Sequence, residues 1–467
     1  MKACLGVIFG NRDFFPDHLV TEAREDILSL FKEMEIDIVM LGEKDTKLGS
    51  VVTYDHAKAC AELFKTNRDR IEGILVVLPN FGDEKGVADT IKLSRLHVPI
   101  LVQAYPDDLK EFNVESRRDA FCGKISVCNN LRQYDYKYSL TKLHTTYPSS
   151  KSFKEDMQKF VSVCKVVKGL KNVRLGAIGA RPGAFNTVRY SEKILQASGI
   201  TVTTVDLSEI FGDASRLSDD APSVKAKLEE INAYAKHDTV PAASMLRMAK
   251  LGVVISDWMQ ANDIQATALQ CWSSMQKNYG INACTLMSMM SDQLIPSACE
   301  TDITGVVSMY ALQLASNFPS ALVDWNNNYV DDPDRCVLFH CGNWAKSFVP
   351  DIEIKTAPIL GTTLGEENTY GAMAGRAAAG PMTYARVSTD DIRGIIHAYT
   401  GEGELTDDPL DTFGHRTVVH TPNLQKLLAY ICRNGFEHHV AMTMGNIAGA
   451  LDEAFINYMG WENYNHS

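Results

Sequence analysis

Short apolar runs alternate with longer amphipathic segments over the first third of this sequence. The apolar runs, at residues 3–9, 36–41, 74–78 and 99–103, have the length and composition of buried strands. Nearly continuous apolar strands separated by helices are typical of a parallel sheet that is covered on both faces. Right-handed crossovers between such strands produce a doubly wound layer of helices around the sheet.

A second strand–helix cycle begins at residues 173–178, whereas the last part of the chain has short strand-like runs broken by Gly, Pro and Asp. Frequent short strands favour a β-rich, barrel-like domain. We therefore predict an α/β protein with two consecutive doubly wound parallel-sheet domains of the Rossmann or flavodoxin kind, at residues 1–170 and 171–325. A β-rich C-terminal domain is predicted at residues 326–467.

Composition argues against several classes of function. The 467 residues carry a net charge of −12, whereas a protein that binds nucleic acid or an anionic membrane surface is expected to present a basic face. No run approaches the ~18 apolar residues that a membrane-spanning helix requires. The N-terminal apolar run is too short for a signal peptide, and the eleven cysteines lack CxxC spacing, which favours reduced thiols. We expect a cytoplasmic protein with a small-molecule ligand.

Two carboxylates occupy positions that favour a role in catalysis or ligand binding. Glu300 precedes an apolar helical pattern, and Asp324 ends an apolar strand-like run. In open α/β sheets the carboxyl ends of the strands face the ligand crevice. The structural alternative is that Glu300 caps a helix and Asp324 begins a turn.

Three histidines add to this set. His438 and His439 precede a strand-like alternation, and His340 ends an apolar run. The alternative for each is a surface histidine or a buried one that hydrogen-bonds the backbone. Two carboxylates and one imidazole form a hard ligand set, which suits Mn²⁺ or Mg²⁺.

In combination these segments resemble the L-fucose isomerase and L-arabinose isomerase family. The Glu-x-Asp segment at residues 300–302, followed by Asp324, is similar to the family's metal-binding carboxylate pair. The run at residues 439–445 resembles its C-terminal His-x-Ala-x-Thr-x-Gly segment, whose histidine is the third ligand. His340 follows Asp324 by sixteen residues, a place comparable to that of an additional metal-binding histidine in arabinose isomerases.

The resemblance implies a metal-dependent ketol isomerase that interconverts an aldose and its 2-ketose through a cis-enediolate. Glu300, Asp324 and His439 would hold Mn²⁺ (or Mg²⁺), and the two carboxylates would form the acid/base pair, with the assignment of the two roles left open. His340 and His438 are further candidates for binding the metal or the substrate. The resemblance also implies a homo-oligomer, a trimer or hexamer, with active sites at subunit interfaces.

Five other residues are candidates for binding the substrate. Arg12 follows the first strand, where α/β proteins bind ligands, and by resemblance it would reach the active site of a neighbouring subunit. Arg181 and Asn186 occupy the matching loop of the second cycle. Trp272 is a candidate for stacking on a sugar, and Arg376 lies in a Gly-rich run that lacks the order of a phosphate-binding loop.

The residues leave two alternative functions open. One is a non-catalytic sugar-binding protein, and the other is a metal-dependent sugar aldolase or epimerase that uses the same enediolate chemistry. The sugar also stays open among fucose, arabinose and an anionic hexose such as a sulfo-sugar, because these share the C1–C2 end that reacts.

Overall fold

The structure, a computed structural model, describes residues 2–110 and 112–467. The chain forms two compact units: Met1–Lys168 with Glu453–Gly460, and Gly169–Asp452 with Trp461–Ser467. None of the described helices has the length and apolar character needed to cross a membrane.

The first unit contains a parallel five-stranded sheet in the order β2-β1-β3-β4-β5. Its strands are β1 Cys4–Phe9, β2 Asp37–Val39, β3 Gly73–Leu78, β4 Ile100–Ala104 and β5 Ser139–Leu140. The helices are α1 His18–Glu33, α2 Tyr54–Thr66, α3 Glu84–Ser94, α4 Ala120–Gln133 and α5 Lys151–Leu170. Every residue of β1, β3 and β4 is buried, as expected of strands covered on both faces.

The second unit begins with a smaller parallel sheet in the order β7-β6-β8-β9. Its strands are β6 Arg174–Ile178, β7 Thr201–Val205, β8 Ala266–Leu269 and β9 Ser297–Ala298. The helices are α6 Glu192–Ala197, α7 Leu207–Arg216, α8 Pro222–Tyr234, α9 Ala242–Ala261, α10 Ser274–Asn278, α11 Cys284–Asp292 and α12 Ile303–Ser316. This sheet confirms the predicted second α/β cycle.

The rest of the second unit is a mixed nine-stranded sheet. Its strands are β10 Ser320–Asn328, β11 Arg335–His340, β12 Glu353–Lys355, β13 Ala372–Arg376, β14 Gly380–Asp390, β15 Ile395–Thr406, β16 His415–His420, β17 His439–Met444 and β18 Glu462–His466. Six of them form a closed antiparallel ring in the order β16-β11-β10-β17-β14-β15, which the pairing of β15 with β16 completes. Helices α13 Pro358–Leu364, α14 Leu424–Arg433 and α15 Ala448–Glu453 accompany the sheet, and a π-helical segment, Ala454–Met459, follows α15. The predicted fold class, two α/β sheets followed by a β-rich, barrel-like part, is confirmed.

One apolar core joins the parallel sheet of the second unit to the barrel. Leu269 of β8, Val323 of β10, Leu338 of β11 and Val440 of β17 all belong to it and are fully buried. The domain boundaries proposed from the sequence stay predictions; β10 runs through residue 325 without a break. Asp324 follows an apolar run, as expected, but it lies inside β10, an antiparallel strand of the barrel, and not at the carboxyl end of a strand in an open α/β sheet.

Candidate metal centre and active site

Glu300 stands at a sharp turn between the parallel sheet and a helix. Strand β9 ends at Ala298, and both Glu300 and Thr301 have a φ of 55°, a left-handed conformation that non-glycine residues adopt rarely. Helix α12 then begins, with Asp302 as its N-cap accepting a hydrogen bond from the backbone N–H of Gly305 at 2.8 Å. The turn places Glu300, only 5% exposed, toward the barrel histidines.

The two oxygens of Glu300 have different surroundings. Oε1 accepts hydrogen bonds from Nε1 of Trp272 at 2.8 Å and from the thiol of Cys271 at 3.3 Å. Oε2 is buried and makes no hydrogen bond to any described residue. Burial disfavours the charged form and raises the pKa of this carboxyl, against the opposing effect of the two nearby histidines, His340 and His439.

The barrel supplies the groups that face this free oxygen. Asp324 and His439 are direct partners in the antiparallel pairing of β10 with β17. Nε2 of His439 lies 3.7 Å from Oε2 of Glu300 and 3.5 Å from Oδ1 of Asp324. Nε2 of His340, the last residue of β11, lies 3.8 Å from the same Glu300 oxygen. His439 is therefore shared by two groups of possible ligands, Glu300 with His340 and Asp324 with His438.

A buried network of charged side chains contacts Nδ1 of His439, the ring nitrogen that does not face Glu300 and Asp324. Its Nδ1 lies 2.8 Å from Oδ2 of Asp302, and Arg386 of β14 makes bonds of 2.6 and 3.0 Å to the two oxygens of Asp302. Arg386 also pairs with Glu437 at 2.9 Å. Burial alone would raise the pKa of Asp302, but the charge of Arg386 and the hydrogen bond from His439 outweigh it and hold this pKa below its usual range. A carboxylate at Asp302 accepts the hydrogen bond, which favours the tautomer of His439 with its proton on Nδ1.

The donor set fits a divalent cation. Oδ1 of Asp324, like Oε2 of Glu300, is a buried oxygen without a hydrogen-bond partner among the described residues. Two ligand atoms at about 2.1 Å from one small cation lie about 3.0–3.5 Å apart, close to the observed separations of 3.5, 3.7 and 3.8 Å. Two overlapping groups could hold a metal ion: Glu300 with His340 and His439, and Asp324 with His438 and His439.

The other candidates of the second unit lie around this point. Nε2 of His438, whose side chain is 42% exposed, lies 3.6 Å from Oδ1 of Asp324. Arg181 and Asn186 line an open polar cleft of about 740 Å³, which also reaches Glu437, the residue before His438. Between them in sequence, the ring of Phe185 lies 5.3 Å from the ring of His438, 5.6 Å from that of His439 and 5.6 Å from that of Trp272.

Two candidate arginines have their guanidinium groups engaged elsewhere. Arg376 of β13 donates a hydrogen bond to the backbone oxygen of Thr406 at 2.8 Å. In the first unit, Arg12 forms an ion pair with Glu84 and donates to the backbone oxygen of Gly82 at 2.9 Å. The role of Arg12 in a neighbouring subunit stays a prediction.

The sequence interpretation assigned no role to Asp302, Arg386, Glu437 or the cysteines at the site. Arg386 had a recognisable signal, because a charged residue in the middle of an apolar strand such as β14 must find a buried partner. Its partners lie 84 and 51 residues away in the chain, so the sequence could not name them.

Comparison with known proteins places both ends of the chain in one family. Residues 6–171 match the fucose/sulfoquinovose isomerase N-terminal domain, and residues 338–466 match the L-fucose isomerase C-terminal domain. A sulfoquinovose isomerase of Priestia megaterium is 25% identical over 346 residues, which cover 72% of this chain and 74% of that protein. A sulfoquinovose isomerase of Alkalicoccus urumqiensis is 23% identical over 370 residues, covering 77% of this chain and 79% of the relative.

Proposed function

This chain belongs to the fucose isomerase-like family, and we propose that it is an aldose–ketose isomerase that uses a divalent metal ion, Mn²⁺ or Mg²⁺. Glu300, Asp324 and His439 hold the ion. His340 becomes a fourth ligand only in the tautomer with its proton on Nδ1, because Nδ1 here accepts a hydrogen bond from the backbone N–H of Cys341 at 3.0 Å. The observation that carries the proposal is the convergence of two buried, unpartnered carboxylate oxygens on Nε2 of His439, at 3.5 and 3.7 Å.

The tautomer of His439 supports its part in this set. A carboxylate only accepts hydrogen bonds, so the contact with Asp302 keeps the ring proton on Nδ1. The lone pair of Nε2 is then free to face Glu300 and Asp324. Such carboxylate–histidine pairs are usual behind metal ligands, because they fix the ring and strengthen its donor nitrogen.

The carboxylates are the groups that can move the proton between C1 and C2 of the sugar. A bound divalent cation would polarise the carbonyl group of the substrate and favour the enediolate that follows proton removal. Trp272 and Cys271 fix Oε1 of Glu300 and leave Oε2 free. Glu300 is one member of the acid/base pair. Asp324 is the second member of the acid/base pair.

We propose an anionic aldohexose, sulfoquinovose, as the substrate, because the relatives described above carry that name. An anionic group needs a local cation in a protein with a net charge of −12. Arg181 and Arg189 both line the polar cleft that reaches Glu437, beside the histidines. A guanidinium group can donate paired hydrogen bonds to the oxygens of an anion such as a sulfonate. Asp390 and Asp391 line the same cleft.

The active assembly is proposed to be a homo-oligomer, a trimer or a hexamer, by family resemblance. Light scattering coupled to size-exclusion chromatography measures this mass directly. A monomeric enzyme with full activity would refute the proposal.

Removal and return of the metal test the function. Enzyme dialysed against EDTA should lose ketose formation from sulfoquinovose, and Mn²⁺ should restore it, with the product identified by NMR. A panel with fucose, arabinose and glucose tests the substrate, and cleavage of a carbon–carbon bond would indicate an aldolase instead. The Glu300→Gln variant should stay inactive with Mn²⁺ present; full activity of this variant without metal would refute the mechanism.

A further inference from the structure

Four cysteines that are far apart in sequence meet beside the proposed metal centre. They are Cys271, Cys284, Cys299 and Cys341, all of them free thiols. Cys271 donates to Glu300, and the sulfur of Cys299 lies within 4.8 Å of those of both Cys271 and Cys341. Isomerisation as proposed above needs no thiol, so the cluster is not explained by that chemistry.

Two of these thiols form a close pair. The sulfur atoms of Cys284, the first residue of α11, and Cys341, which follows β11, lie 3.7 Å apart. A disulfide requires about 2.05 Å between the sulfurs, so an approach of roughly 1.7 Å joins them. Side-chain rotation and a small backbone shift cover such a distance.

Cys341 and Cys284 differ in their exposure to solvent. Cys341 is partly exposed and lines a cavity of about 370 Å³ that also contains Glu300 and Trp272. Cys284 is only 1% exposed. A small oxidant that enters the cavity therefore meets the sulfur of Cys341 first, with Cys284 behind it.

We propose that Cys341 and Cys284 form a peroxide-oxidisable dithiol at the wall of the active site. The sulfur of Cys341 attacks one oxygen of hydrogen peroxide; the O–O bond breaks, giving a sulfenic acid and water. The sulfur of Cys284 then attacks the sulfenic sulfur, the S–O bond breaks and a second water leaves. Two thiols lose two electrons and two protons, and one peroxide becomes two waters.

The dithiol is coupled to the metal centre through His340. Nδ1 of His340 lies 3.4 Å from the sulfur of Cys341 and 3.0 Å from its backbone nitrogen. Drawing Cys341 toward Cys284 shifts these contacts and with them the ring whose Nε2 faces Glu300. Oxidation is therefore expected to lower isomerase activity reversibly. This effect on activity rests on the proposed function. The formation of the disulfide is independent of it.

Peptide mapping tests the dithiol without any activity assay. Full-length protein, treated with EDTA so that bound metal does not react with peroxide, is exposed to hydrogen peroxide, alkylated and digested without reductant. The expected product is a cross-linked peptide pair containing Cys284 and Cys341. In the double variant Cys284→Ser, Cys299→Ser both thiols near Cys341 are removed, and dimedone should label Cys341. Cys432→Ser, which removes an exposed cysteine, should leave the cross-link intact.

Oxidation of Cys432 shows that the peroxide treatment is strong enough. If both Cys284 and Cys341 are still alkylated after such a treatment, the proposal is overturned. An activity assay follows on metal-reconstituted enzyme: dithiothreitol should restore at least most of the activity lost with the cross-link, and a cross-linked enzyme of unchanged activity would refute the coupling. A cross-link that forms in a protein without isomerase activity in either redox state would refute the proposed function and leave the dithiol standing.

Discussion

Oδ2 of Asp302 lies 2.8 Å from Nδ1 of His439, although 137 residues separate them in the chain. Asp302 caps α12 at the edge of the parallel sheet, and His439 opens β17 of the barrel. This one contact ties the two halves of the second unit together at the proposed metal centre. It also determines which nitrogen of His439 faces Glu300 and Asp324.

The Asp302→Asn variant tests that relationship. The amide no longer provides a negative charge behind the ring and can hold His439 in either tautomer, so we expect the Mn²⁺ concentration for half-maximal activity to rise about 10–100-fold. The measurement is activity, or directly measured Mn²⁺ binding, as a function of free Mn²⁺. Asp238→Asn, a change at an exposed carboxylate, is the control; equal Mn²⁺ requirements in the two variants would contradict the role of Asp302.

His340 is the candidate for a fourth ligand, in the tautomer that carries its proton on Nδ1. Its Nε2 lies as far from Oε2 of Glu300, 3.8 Å, as that of His439, 3.7 Å. His340→Ala should therefore raise the Mn²⁺ concentration for half-maximal activity by about 10-fold or more. Substitution of a residue that only hydrogen-bonds a metal ligand already lowers metal affinity by about that factor. The exposed His18 provides the matched alanine control. An unchanged Mn²⁺ requirement would assign His340 to packing.

The pKa of Glu300 predicts how the metal-free protein responds to pH. Burial raises this pKa above its unfolded value of about 4.3, so the folded state holds the proton more tightly than the unfolded state. The stabilisation is complete below the unfolded pKa and is lost as pH rises through the folded pKa. In EDTA-treated protein, the free energy of unfolding of wild type relative to Glu300→Gln should fall across that window, as measured by urea denaturation. A constant difference would show that Glu300 titrates normally.

Arg386 should matter for stability far more than a surface arginine. It is fully buried, and Arg386→Ala leaves the buried carboxylates of Asp302 and Glu437 without their cation, which costs about 3–5 kcal/mol. Arg393→Ala breaks an exposed pair with Glu462 and should cost less than about 1 kcal/mol. Denaturant titrations of both variants compare the two losses, and similar values would contradict this account.

The two arginines of the polar cleft should distinguish charged from neutral sugars. Arg181→Gln and Arg189→Gln remove one positive charge each from the cleft that reaches Glu437. We expect KM for sulfoquinovose to rise about 10-fold or more, as for a charge-assisted hydrogen bond of 1.5–3 kcal/mol, with kcat little changed. The matched control is Arg216→Gln, at an exposed residue of α7; an unchanged KM in both cleft variants would place the sulfonate elsewhere.

The sequence by itself determined the order of layers and most of the strands. Residues 74–78 form part of β3 and the predicted strand at 99–103 overlaps β4, because the apolar pattern of a buried strand is written in consecutive residues of the chain. Glu300, Asp324 and His439 were picked out by their segments and by family resemblance. Their roles remain predictions that the experiments above address.

Only the tertiary structure decided where Asp324 lies and which groups surround the carboxylates. Asp324 belongs to a barrel strand, because its partners in β11 and β17 come from later in the chain. The pairing of His439 with Asp302, the Arg386 network and the meeting of Cys284 with Cys341 likewise depend on long-range packing. The spacing of apolar residues depends only on neighbours along the chain. The charge of a carboxyl, the tautomer of a histidine and the reactivity of a thiol depend on the neighbours that folding brings to them.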